Sequence, residues 1–194
     1  MAKQIQTALT ILRRKQKVFL LKMDKVAGSG KDEFYTPLYA VKPITGFIKP
    51  SSVVWCPFDT VQSHFVKELI RLGHDVILTH KDTGGDFFST IKECDYIVSN
   101  PPYSLKTEVL QRLFEIGKPF AMLVGVVGLF ESQKRFEMFR DNEFEILYMN
   151  RRISYFEDYN DEKPKLNPPF SSVYITSKML PRQVMFAEID KRSI

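Results

Sequence analysis

From Ser52 to Tyr148 short apolar runs alternate with helix-patterned stretches, and this alternation constrains the fold more than any other feature of the chain. Val53–Trp55 reads as a strand, Ser63–Leu72 as a helix closed by Gly73, and Asp75–Thr79 as a second strand, together a β-α-β unit. The turn Thr83-Gly84-Gly85-Asp86 leads to a strand over Asp95–Ser99 and then a helix over Ser104–Ile116, capped by Ser104 and stopped by Gly117. Phe120–Val127 is almost unbroken apolar sequence, as a central strand buried on both faces requires. A helix over Glu131–Arg140 and a strand over Phe144–Tyr148 complete the series. The pattern predicts an α/β fold built on a doubly wound, mostly parallel sheet. The tail differs: Arg152–Phe156 and Ser171–Thr176 predict a C-terminal antiparallel hairpin at the sheet edge, with Gln183–Ile189 as a candidate further strand.

A chain of 194 residues holds one substantial core rather than two. The expected division is a basic N-terminal arm and linker over residues 1–31 and a single domain over residues 32–194. The arm carries eight basic side chains against Asp24 alone, whereas the whole chain is only +5, so the rest is slightly acidic. A basic appendage on a near-neutral body can lie along phosphates, or it can be the solvated face of an amphipathic helix over residues 3–23. Ala27-Gly28-Ser29-Gly30-Lys31 lacks the first glycine of a phosphate loop, and Asp32 stands where that motif needs Ser or Thr, so it reads as a flexible linker. No run of 18 uncharged apolar residues occurs, and the N-terminal stretch is interrupted by charge, which predicts neither a membrane span nor a secretory signal. Cys56 and Cys94 form no Cys-x-x-Cys pair, so a cytoplasmic location is expected.

Ligands of open α/β sheets sit beyond the carboxyl ends of the strands, and Asn100-Pro101-Pro102-Tyr103 falls at such an end. The exocyclic amine of a nucleobase is a poor nucleophile because its lone pair is delocalised into the ring. Two acceptors on its two N–H bonds favour a tetrahedral nitrogen able to attack, and the Asn100 side-chain oxygen and Pro101 carbonyl can be those acceptors. Pro101 and Pro102 stiffen the turn, and Tyr103 offers a flat face for an extruded base. Asn167-Pro168-Pro169-Phe170 repeats the pattern, but it follows a charged loop and enters a strand. The first copy is therefore the expected base-holding site, and the second is hairpin-loop structure or a substrate contact.

Asn-Pro-Pro-Tyr after Asp-Tyr-Ile-Val-Ser, with Phe34-Tyr35-Thr36-Pro37 upstream, resembles the S-adenosylmethionine-dependent adenine-specific amino-methyltransferases. Trp55-Cys56-Pro57-Phe58-Asp59, Gly84-Gly85-Asp86-Phe87-Phe88 and Gly117-Lys118-Pro119-Phe120 are similar to segments of short phage and prophage members. The likeness covers about residues 32 to 176 and implies a Rossmann-like methyltransferase fold. It also implies that Phe34, Tyr35, Thr36 and Pro37 contact the methionine end of the cofactor and that Pro57, Phe58 and Asp59 form the turn after the first strand. Asp82 would hold ribose hydroxyls, and Asp86 and Phe87 would receive the adenine ring. The chain departs from the family at Thr60-Val61-Gln62, where Gly-x-Gly is usual. Either the loop takes another path, or cofactor affinity is weak, or the fold no longer methylates.

The expected function is transfer of a methyl group from S-adenosylmethionine to the N6 amine of adenine in nucleic acid, with double-stranded DNA the first candidate and RNA open. The alternative is a catalytically inactive nucleic-acid-binding protein on the same fold. Nucleotidyl transfer would need a glycine-rich nucleotide loop and paired metal-binding acids, which the sequence does not supply. His64, His74 and His80 match no metal-ligand spacing, so no metal is expected.

Overall fold

The computed structural model describes residues 34–192. The expected basic arm and its helix over residues 3–23 lie outside the described residues.

Among the described residues four α-helices and seven strands form the scaffold: α1 (Leu38–Thr45), β1 (Val53–Cys56), α2 (His64–Arg71), β2 (Asp75–Leu78), β3 (Tyr96–Ser99), α3 (Lys106–Ile116), β4 (Phe120–Gly125), α4 (Gln133–Arg140), β5 (Glu145–Met149), β6 (Ser172–Ser177) and β7 (Val184–Ala187). The strands lie in one sheet in the order β2-β1-β3-β4-β6-β5-β7. Pairing is parallel from β2 through β4 and between β5 and β7, while β6 runs antiparallel to both β4 and β5. Such a sheet has two faces to cover, and the period of two along each strand assigns the side chains. Val54, Cys56, Val98, Ala121, Leu123 and Tyr174 join α1 and α2 in one core. Trp55, Ile97, Phe120, Met122, Val124 and Ile175 join α3 and α4 in the other. Every residue of β4 is buried, as its unbroken apolar sequence demands.

Local chemistry fixes the element ends. The Ser63 hydroxyl accepts from the Phe65 N–H to start α2, and the Ser132 hydroxyl accepts from the Arg135 N–H to start α4. Gly117, at φ +71°, closes α3 with its N–H on the Leu113 carbonyl. Ser104 does not cap α3: a 3-10 turn over Tyr103–Leu105 intervenes, and the helix starts at Lys106 without a side-chain cap. The antiparallel strand expected near the C-terminus is β6, with β4 and β5 as partners, so it lies inside the sheet and not at its edge. Residues 152–156 do not pair with it; Tyr155 bridges Leu166, and Phe156 bridges Tyr35. That bridge draws the 150–171 connection across the carboxyl edge of the sheet. Gly125 makes this path possible, since a Cβ there would lie 2.6 Å from the Phe170 ring.

Candidate active site

β1, β2 and β3 are parallel neighbours that end at one edge, and the chain leaving each contributes to a single cleft. Pro57, Phe58 and Asp59 come from the exit of β1, His80 and Lys81 from the exit of β2, and Asn100 and Pro102 from the exit of β3. Phe34-Tyr35-Thr36 and the segment 85–88 form the sides, and Tyr159 reaches in from the long connection.

Asn100 is held by its amide nitrogen. Nδ2 donates to the Phe34 carbonyl at 2.8 Å and to the Thr36 hydroxyl at 3.2 Å. A carbonyl only accepts, so this contact fixes which end of the amide faces Phe34 and leaves Oδ1 as the outward acceptor. Oδ1 is buried and has no hydrogen-bond partner. A buried acceptor without a donor costs about 1–3 kcal/mol, which marks a place prepared for a donor from elsewhere. The second tetrapeptide differs in this respect. Asn167 Oδ1 accepts from Ser154 Oγ at 2.5 Å and its Nδ2 donates to the Lys165 carbonyl at 3.1 Å, so both ends of its amide are satisfied within the loop. Phe170 of that copy packs on Tyr103 of the first, ring centroids 5.8 Å apart.

Asp59 is 7% exposed and accepts from Ser63 Oγ and Ser99 Oγ, each at 2.5 Å. Burial raises its carboxyl to about 6, although the two hydroxyls and His80 pull the other way. Burial also raises the Tyr159 phenol, which lies beside Asp59 and Ser63. At the other end of the cleft Phe87 is buried against Trp55 and Phe58, centroids 5.5 and 5.0 Å apart, with Phe88 half exposed beside it. The Asp86 carboxylate accepts from the Phe88 N–H at 3.0 Å, and hydrogen bonds from Ser89 and Phe88 hold it below the usual aspartate range. Gly85 is required for this crossing, because a Cβ there would stand 2.8 Å from Thr79 Cβ.

Of the residues singled out in the sequence, Phe34, Tyr35, Thr36, Pro57, Phe58, Asp59, Asp86, Phe87, Asn100 and Pro102 line the cleft. Four do not. Pro37 starts α1 in an extended conformation, and Pro101 is buried in the turn. Asp82 is largely exposed in the 3-10 turn Lys81–Thr83, its carboxylate 3.5 Å from His80 Nδ1, because the chain tightens directly after β2. The Tyr103 ring turns inward onto Phe34, centroids 4.8 Å apart, and its hydroxyl donates to Tyr155 Oη at 2.8 Å. Thr60 lines the cleft in place of a glycine. Among the described non-glycine residues only Ser51 and Lys178 have positive φ, so the Thr60-Val61-Gln62 path makes no demand for glycine conformations. Ser63, His80, Lys81 and Tyr159 are further lining residues. His80 and Lys81 follow β2 and Ser63 caps α2, places that the sequence does mark, whereas Tyr159 arrives by tertiary packing on Tyr35, at 4.6 Å, with no local signal.

Among the described residues no group of three or more His, Cys, Asp or Glu side chains is placed to hold a metal, and no helix is long and apolar enough to cross a membrane. No family model and no curated protein matches the sequence. Among solved structures the chain is similar to a modification subunit assigned to a type I restriction enzyme from Vibrio vulnificus YJ016. That match has 14% identity and a TM-score of 0.49, over 93% of this chain and 51% of the other. It is also similar to a protein assigned as a class I S-adenosylmethionine-dependent methyltransferase from Listeria monocytogenes, with 13% identity and a TM-score of 0.44, over 91% of this chain and 71% of the other. The chain thus spans about half the length of the first of these structures.

Proposed function

We propose that the protein is an S-adenosylmethionine-dependent methyltransferase of the short phage type, acting on the N6 amine of adenine in nucleic acid, DNA foremost. The observation that carries this reading is the pinned Asn100 amide with its buried, unpartnered Oδ1. An amine N–H is the donor that such an acceptor lacks, and by accepting it Asn100 Oδ1 draws the nitrogen lone pair out of the ring and stabilises the charge that develops on nitrogen. The reading keeps the Pro101 carbonyl, which does not line the cleft in this structure, as the second acceptor once a base is bound.

The cleft suits the cofactor. Phe58, Phe87 and Phe88 supply apolar faces for a purine, and the buried Asp59 carboxyl supplies an acid toward a cationic ligand. When bound, S-adenosylmethionine supplies an electrophilic methyl group on a sulfonium that leaves as a neutral thioether. The protein's share is proximity, orientation and acceptance of charge at Asn100 Oδ1. A calorimetric titration with S-adenosylmethionine tests the reading, with saturable binding expected. A second reading, a non-catalytic nucleic-acid-binding protein, is favoured by Asp82 lying outside the cleft and Thr60 lining it. Nucleic-acid binding with no cofactor binding would select it.

Tyr103 is assigned the support of the base-holding turn, its ring bearing on Phe34, whose carbonyl holds Asn100. Tyr103→Phe keeps the ring and forfeits the hydroxyl contact to Tyr155. It should retain most transfer activity and lose about 1 kcal/mol of stability. Tyr103→Ala removes the ring that bears on Phe34 and should cost about tenfold in activity by loosening the Asn100 amide, about 1.4 kcal/mol of transition-state stabilisation. Steady-state methyl transfer by the two variants checks this, and equal damage from Phe and Ala would assign the role to the hydroxyl.

A further inference from the structure

One strand beyond Asn100, where β4 leaves the sheet, two cations converge on a glycine. Gly128 has φ +69°, and a Cβ on it would stand 3.7 Å from Arg135 Nη2 and 3.8 Å from Lys106 Nζ. Lys106 Nζ donates to the Val127 carbonyl, and Arg135 Nη1 donates to Thr107 Oγ1 at 2.8 Å. Both side chains are therefore oriented by neutral oxygens and not by an ion pair. Arg135 Nε is buried and has no partner. The acid nearby is Glu131, which accepts from the Gly128 N–H at 3.3 Å. Burial and the neighbouring Arg135 lower the Lys106 ammonium, and Glu131 only partly offsets them. Two cations held together beside an unused guanidinium N–H share one nearby carboxylate, Glu131, which leaves net positive charge at this corner.

We propose that Lys106, Arg135 and the open corner at Gly128 bind a backbone phosphate of the nucleic-acid strand whose base enters the Asn100 cleft. Lys106 follows Leu105, which lines that cleft, so the site lies at its rim. A guanidinium and an ammonium at one point match the tetrahedral oxygens of a phosphodiester better than a carboxylate, which one arginine alone can saturate. The assignment of the phosphate to nucleic acid rests on the methyltransferase reading, whereas the anion site itself does not.

The test is fluorescence anisotropy of a labelled, adenine-containing DNA duplex with the full chain over a range of salt. Arg135→Gln and Lys106→Gln should each weaken binding about tenfold. Both cations serve one phosphate, so removing them together should flatten the log–log salt dependence by about 0.9, the value of one phosphate contact, and each single variant should take part of that change. Lys118→Gln, which removes the same charge at the opposite edge of the sheet, should leave the slope unchanged. Arg135→Lys keeps the charge and should keep the slope while losing affinity, which separates a lost contact from a misfolded variant. Slopes for the Arg135 and Lys106 variants equal to that of Lys118→Gln, with no stabilisation of the parent by inorganic phosphate, would overturn the site. Stabilisation of the parent by inorganic phosphate, absent in both variants, with duplex slopes unchanged, would overturn the nucleic-acid assignment. Failure to bind S-adenosylmethionine, with the slope differences intact, would remove the methyltransferase reading and leave the phosphate site standing.

Discussion

Asn100→Ala is expected to lose methyl transfer by at least about a hundredfold, the usual cost of removing one preorganised group that meets charge developing in the transition state. Affinity for S-adenosylmethionine should remain within about threefold of the parent, since Asn100 acts on the attacking nitrogen and not on the sulfonium. The substitution also leaves the Phe34 carbonyl without its donor, so a loss of about 1 kcal/mol in stability accompanies it. Asn167→Ala is the matched control. It removes a satisfied amide from an exposed loop and should leave activity unchanged. Incorporation of tritiated methyl groups into adenine-containing DNA measures both variants, and retained activity in Asn100→Ala with loss in Asn167→Ala would reverse the assignment of the two tetrapeptides.

The contrast between those tetrapeptides is legible in the sequence, because an Asn-Pro-Pro turn that leaves a buried strand stands at the ligand-binding edge of a parallel sheet. One that leaves a charged loop does not. Strand ends are legible for the same reason: β1 and β3 are short apolar runs bounded by proline or aspartate, and their exits carry much of the cleft. What was hidden depends on contacts between distant residues. Nothing local tells that Tyr103 turns inward, since its partners Phe34, Tyr155 and Phe170 are assembled by the fold. Nothing local tells that β6 threads between β4 and β5, because a strand buried on both faces reads alike in either direction. α1 was masked by Pro43, a helix breaker by propensity that an eight-residue helix tolerates here under the packing of Tyr39, Val41 and Ile44. Asp82, by resemblance a ribose-binding acid and by local sequence the opening of a Lys-Asp-Thr-Gly turn, lies in the 3-10 turn with its carboxylate exposed beside His80, and Lys81 lines the cleft.

Asp59→Asn should change how stability depends on pH, by an amount comparable to the whole contribution of a buried side chain. The Asp59 carboxyl is raised from the ordinary aspartate value of 3.8 to about 6 by burial. Between those values the folded protein binds more protons at this group than the unfolded chain does, so stability falls as pH rises through the window and levels off above it. A shift of that size corresponds to about 3 kcal/mol. The asparagine variant carries no such titration. The stability of the parent relative to Asp59→Asn should therefore decline by up to about 3 kcal/mol between pH 4 and pH 7. Urea unfolding of both proteins at matched pH values isolates this group, because the exposed carboxylates of Asp86, Asp141 and Asp190 titrate alike in each. A cationic ligand in the cleft reverses the sign of the coupling, since it favours the ionised carboxyl that burial disfavours. S-adenosylmethionine should then bind the parent more tightly as pH rises through about 6, the value at which Asp59 ionises, while Asp59→Asn should bind it with no step there. A constant stability difference across the pH range would mean that Asp59 is ionised throughout, held by the Ser63 and Ser99 hydroxyls. A binding step that persists in the variant would place the titrating group elsewhere in the cleft.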